Sequence, residues 1–124
     1  MSFRVFIAGE ISSGGAGDCT FTLRYGTTDI LAVATAALAN EDDKPFKLEF
    51  TGHILTAGAS GKVVAHGFIT AFQGTPLYFC ADTANTGASV DLTADSTLNV
   101  TAEWDNQSAD DDVIVTHGWI EYYN

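Results

Sequence analysis

The chain has 124 residues, 46% of them hydrophobic and 17% charged, which fits a single domain spanning residues 1–124 and excludes two domains, a disordered chain or a repeat array. Five Lys and Arg against sixteen Asp and Glu give a net charge of -11, the wrong sign for gripping a phosphate backbone, so nucleic acid is not an expected partner. All five cations lie at or before Lys62, and nine acids follow it, including Asp110, Asp111 and Asp112.

Helical periodicity is nearly absent, while period-two alternation recurs between Gly-, Asn- and Asp-rich breaks, the pattern of an antiparallel all-β domain. Ser2 to Ala8 opens with Phe3, Val5 and Ile7 on one face, and its apolar run breaks at Gly9-Glu10. That run is too short for a signal-peptide core or a membrane span, so a soluble protein with no secretion address and no membrane partner is expected. Gly14-Gly15-Ala16-Gly17 reads as a loop. Cys19, Phe21, Leu23 and Tyr25 then point inward, with Thr20, Thr22 and Arg24 outward. Gly26 to Asp29 is a turn into Ile30 to Thr35. The Ala-rich sequence from Ile30 to Asn40 has helical propensity, but Ile30, Val33 and their neighbouring threonines favour a strand followed by a loop. Glu41-Asp42-Asp43 reads as a surface connection that Pro45 terminates.

Phe46, Leu48 and Phe50 alternate with Lys47, Glu49 and Thr51, the cleanest half-buried strand in the chain, continuing to about Thr56. Gly58 to Gly61 turns it into Lys62 to Gln73, making a long hairpin. Both faces of this second arm are apolar: Val63, Ala65, Ile69 and Ala71 on one, Val64, Phe68 and Phe72 on the other. One face is expected in the core. The other is too apolar for water alone, which makes Phe68 and Phe72 the candidate residues of a subunit contact. Gly74-Thr75-Pro76 leads to Leu77 to Ala81, a loop from Asp82 to Ser89, and a short strand from Val90 to Leu92. Leu98, Val100, Ala102 and Trp104 alternate with polar neighbours, Asp105 to Asp112 is an exposed connection, and Val113 to Tyr123 is the last strand. About eight strands without a crossover helix close most economically as an antiparallel two-sheet β-sandwich of jelly-roll type. An immunoglobulin-like sandwich ranks second, because both tryptophans follow Cys80 and its Cys, Trp, Cys order is missing.

Phe21-Thr-Leu-Arg-Tyr-Gly-Thr-Thr28, Pro45-Phe46-Lys47-Leu48, Gly58-Ala-Ser-Gly61, Ala65-His-Gly67 and Leu98-Asn-Val-Thr-Ala-Glu-Trp104 follow one another in an order that resembles small structural proteins of tailed bacteriophages. The resemblance covers most of the chain. It implies a trimeric jelly roll on the virion, made in the host cytoplasm: either a capsid decoration (cement) protein whose partners are the major capsid protein and its own copies, or part of a tail fibre or spike. The Ala-rich stretch after Leu31 and the acidic Asp110 to Asp112 loop depart from the pattern.

The residues set no catalytic or metal motif beside this reading. There is no Gly-x-Ser-x-Gly elbow, since Gly58-Ala59-Ser60-Gly61 has neither its spacing nor a following helix. His53, His66 and His117 lie on three strands and lack the i, i+2 pairing that a cupin-type metal enzyme draws on. A four-residue turn would put His53 directly opposite His66, and a five-residue turn would put them on opposite faces. Asp110-Asp111-Asp112 lacks the ligand intervals and the glycine of a calcium loop. Cys19 and Cys80 are expected as free buried thiols, and the sequons at Asn99 and Asn106 read as chance matches. Trp104 is in the inward phase of its strand and is expected in the core, whereas Trp119 and Tyr122 are available for stacking on sugar rings. The expected function is therefore non-enzymatic and free of cofactors: a cement protein on the head, with a receptor- or carbohydrate-binding fibre knob as the alternative. With only Ser2 to Gly9 before the first glycine loop, no fibre shaft is expected.

Overall fold

The computed structural model describes residues 1–15 and 17–124, Gln73 by its backbone only; Ala16, in the expected glycine-rich loop, lies outside the described residues. Nine strands alternate as the side-chain pattern requires: β1 (Ser2–Ser13), β2 (Cys19–Tyr25), β3 (Thr28–Ala34), β4 (Glu41–Thr56), β5 (Gly61–Gln73), β6 (Thr75–Asp82), β7 (Ala88–Val90), β8 (Leu98–Trp104) and β9 (Asp112–Tyr123). They pair antiparallel into two sheets. The larger runs β6-β5-β4-β1-β9, with β7 beside β5, and the smaller runs β3-β2-β8. The all-β, two-sheet sandwich read from the sequence is the architecture, with no helix among the described residues.

Directly paired residues in a sheet share a face, so the register fixes the core. Val5 lies opposite Phe50, Ile7 opposite Leu48 and Leu48 opposite Ile69. From the smaller sheet Phe21 and Leu23 of β2 and Val33 of β3 face them, and all eight except Ile7 are buried. Two glycines let aromatic rings lie flat across the neighbouring strand. Phe3 is paired with Gly52 and Phe50 with Gly67, and a Cβ on either glycine would strike the partner's ring.

Several boundaries differ from the sequence reading, each for a local reason. The first strand does not stop at Gly9-Glu10. The β1–β9 register slips there, a Cβ on Gly9 would strike the carbonyl oxygen of Ile114, and the strand continues through the bulge to Ser13. Glu41-Asp42-Asp43 is not a connection but the start of β4, and Pro45 does not end anything: it pairs with Glu10 on β1. On its other side β5 joins β4 only from Phe46 onward, so Pro45 sits where no second ladder asks for its missing N–H. Thr75 and Pro76 open β6 instead of forming a turn, and the short strand expected from Val90 to Leu92 is Ala88–Val90.

The sheets differ in width, and their overlap is one-sided. They approach each other where β3 lies over β5, β6 and β7. On the opposite side β8 and β9 are free edges, and the core-phase side chains Ile120 and Tyr122 of β9 remain 42% and 63% exposed.

Replacing Phe50 by Ala is expected to destabilise the fold by about 3–5 kcal/mol through cavity formation. Gly67→Ala, whose Cβ would come within 2.7 Å of the Phe50 ring, is expected to cost about 1–3 kcal/mol by overpacking. Because the missing ring makes room for the methyl group, urea midpoints should show the double variant losing clearly less than the sum of the two.

Candidate functional site

The face of the larger sheet turned away from the core carries the residues between the inward ones. Register places Phe68, Glu49, Phe6 and Trp119 in one row across β5, β4, β1 and β9. The Phe6 and Trp119 rings stack with centroids 5.2 Å apart, and the Arg4 guanidinium lies 5.1 Å from the centre of the Trp119 ring. Arg4 also donates to and pairs with Glu49, which raises its pKa from the ordinary arginine value. Phe68 and Phe72, the candidates for a subunit contact, are on this face, 53% and 41% exposed, and Tyr78 on the adjoining strand is 76% exposed. Between Arg4, Lys47, Glu49 and Phe68 the face dips into a groove of about 300 Å³. The chemistry is that of a contact surface: broad apolar rings, with one ion pair in their midst.

A second surface was not read from the sequence. Where the sheets part, β8 and β9 border a groove of about 310 Å³ lined by Ile7, Leu98, Val100 and Ile120 among others. These are core-phase residues: Val5 pairs with Ile120 across β1 and β9, and Leu23 pairs with Val100 across β2 and β8. Alternation revealed their phase. It carried no information on whether anything covers them. Trp104, at the end of β8, packs against the core as expected, whereas Trp119 belongs to the outer face.

The reactive side chains do not converge. Leu55 is an extra residue in β4, so His53 pairs with Val64 and His66 with Thr51. The two histidines therefore share the outer face but are neither directly opposite nor on opposite faces. His53 exchanges a 2.7 Å hydrogen bond with the Ser2 hydroxyl. Among the described residues no three His, Cys, Asp or Glu side chains gather closely enough to hold a metal ion. Both thiols are free, but only Cys19 is buried. Cys80 is on the outer face opposite Phe68, in contrast to the expectation that both are buried. Burial, reinforced by the Asp111 charge, pushes the Cys19 thiol up to about 12.

Acids gather at the end of the sandwich where β4 and β9 begin, and some of them hold the loops. Asp111 accepts hydrogen bonds from the backbone N–H of Gly14 at 2.8 Å and of Ser108 at 2.6 Å. Those two donors hold its carboxyl below the usual carboxylate range. Asp105 likewise accepts from the Asp18 N–H at 2.7 Å.

A carboxyl with a lowered native pKa stabilises the fold above its unfolded pKa, and that contribution fades as the pH falls through the native value. Stability at neutral pH should therefore drop in Asp111→Asn, and the gap from the parent should close as the pH is taken below about 4; a gap that stays constant with pH would remove the role of the charge. A thiol reagent should label one cysteine per native chain, Cys80, and two after unfolding. Comparison with protein-family models, with curated proteins and with solved structures finds no match.

Proposed function

We propose that this chain is a non-enzymatic structural protein of a tailed-bacteriophage virion, a decoration (cement) protein that binds the major capsid protein on the outside of the head as a homotrimer. The observation that supports the reading most is the presence of two separate apolar surfaces on a chain of net charge -11: the ring-bearing outer face of the larger sheet and the open side along β8 and β9. A protein that only has to stay dissolved exposes large apolar side chains singly. One that joins copies of itself and also seats on a shell requires two contact surfaces, and a small rigid β-sandwich supplies them without moving parts.

The alternative, a carbohydrate- or receptor-binding knob of a tail fibre or spike, is favoured by one feature. Trp119, stacked on Phe6 with Arg4, Glu49 and Tyr123 close by in the sheet, offers a ring and polar groups of the kind that grip a sugar.

A cement protein binds the assembled shell and not the unfolded coat, so by linkage it stabilises each site by about 2.7 kcal/mol at a hundred times its dissociation constant. Particles lacking the chain should lose infectivity on heating or osmotic shock sooner than complete ones, and adding the purified chain should restore them. Attachment through apolar rings should change little with added salt. Particles that lack the chain, tolerate heat as well as complete ones and fail to adsorb to cells would put the fibre knob in first place.

A further inference from the structure

We infer that the open side between β8 and β9 is closed by a second copy of this chain, and that the contact between copies lies there and not at Phe68 and Phe72. The inference deepens the proposed self-association and is independent of the virion in which it would operate.

The first argument is geometric. Strands in a sheet lie about 4.8 Å apart, so three strands cannot cover five. Because β3 lies over β5, β6 and β7 and Phe3, Val5 and Ile11 of β1 are buried, the uncovered part of the inner face falls on β9. Its residues, Ile120 and Tyr122 with Leu98 and Val100 across the gap, have the phase and chemistry of core residues but only part of a core around them.

The second argument is area. In the inward phase β9 carries three exposed large apolar side chains, Val115, Ile120 and Tyr122, at 55%, 42% and 63%. At about 200 Å² for a large side chain this leaves on the order of 300 Å² of apolar surface on the inward side of one strand. A stable interface buries about 800 Å² per partner, a little over half of it apolar. β9 supplies the larger part of that area, and the partly exposed Leu98 and Val100 of β8 add to it.

The third argument is charge, and it leaves this side open to a second copy. Another copy brings a net charge of -11 and can approach only where acids are not forced together. The inward phase of β8 and β9 has no charged residue: Glu103 pairs outward with Thr20, and Glu121 pairs outward with Arg4. Two like-charged copies can therefore meet along this side, whereas the end carrying Asp105 and Asp110 to Asp112 repels a second such end. Free strand edges on both sheets at the same side add main-chain donors and acceptors that a second copy can pair.

Light scattering during size-exclusion chromatography tests this. The parent should elute at a multiple of 13.1 kDa, three in the proposed function. The pair Val100→Asp and Ile120→Asp should elute as a monomer with an unchanged β-type circular dichroism spectrum, and the pair Phe68→Asp and Phe72→Asp should remain assembled. A parent that is monomeric at high concentration overturns the inference together with the trimer. An assembly that survives the first pair and falls apart with the second overturns the inference alone and gives the contact to the outer face. Should the first pair fail to fold, hydrogen exchange on the parent decides: amides of β8 and β9 should lose at least tenfold protection on dilution while those of β5 and β6 do not, and equal loss or none overturns the assignment.

Discussion

A three-stranded sheet laid against a five-strand path is the constraint from which the surface properties of this molecule follow. Hydrophobic burial acts by area removed from water, and the smaller sheet sets β3 against β5, β6 and β7 while Phe21 of β2 stacks on Phe46 of β4. Centring it over β1 instead would uncover Ile69 and Ala71, which are now buried. The mismatch therefore appears at one side and not at both. Everything notable about β9, its exposed Ile120 and Tyr122, its free edge and its groove against β8, is the remainder of that packing.

Side-chain alternation was enough to read most of this. The inward sets on β2, β4, β5 and β8 follow directly from period two, and the structure pairs them with few slips. What alternation missed has three physical origins. Gly9 and Leu55 mark bulges, and a bulge inserts a residue without changing composition, so β1 looked shorter than it is and the His53 to His66 offset could not be counted through the hairpin. Pro45 forbids one ladder and not both, and a strand with β1 on one side alone accepts it. Burial, finally, depends on sheet width. Val100 and Ile120 have the same phase as Leu23 and Val5 beside them, yet the second two are covered and the first two are not fully covered, and no single strand records how wide the opposing sheet will be.

The candidate site was legible to the same extent. Phe68 and Phe72 were found because two-sided apolarity within one strand is visible in the sequence, and the structure leaves both of them exposed. The row that joins Phe68 to Phe6 and Trp119 requires the order of four strands, which comes from long-range pairing. The acids show the opposite relation between pattern and role. Asp105 and Asp111 looked like members of a solvated run, and they are the acceptors that fasten Gly14 and Asp18 to the loop at 105–111. A carboxylate with two backbone donors is a structural element as well as a surface charge.

Edge protection separates the two sides of the sandwich and bears on which surface meets which partner. An unpaired edge is a template for further strands unless something blunts it. On the overlapped side, β6 opens with Thr75-Pro76 and ends at Asp82, and β3 begins beside a register slip at Leu23 and Arg24: a proline, a charge and a bulge, each of which discourages pairing. On the other side, β8 pairs with β2 without a slip along its whole length, and β9 runs straight from Gly118 to Tyr123. Neither strand contains a proline or a lysine. The proposed second copy would meet two adjacent edges there, apolar in the inward phase, with the single slip of β9 lying ahead of Gly118. The outer face differs in kind. It has no free edge in its middle and holds the Arg4–Glu49 ion pair among its rings, so it suits a partner that brings complementary side chains, and it stays available to one when β8 and β9 are occupied.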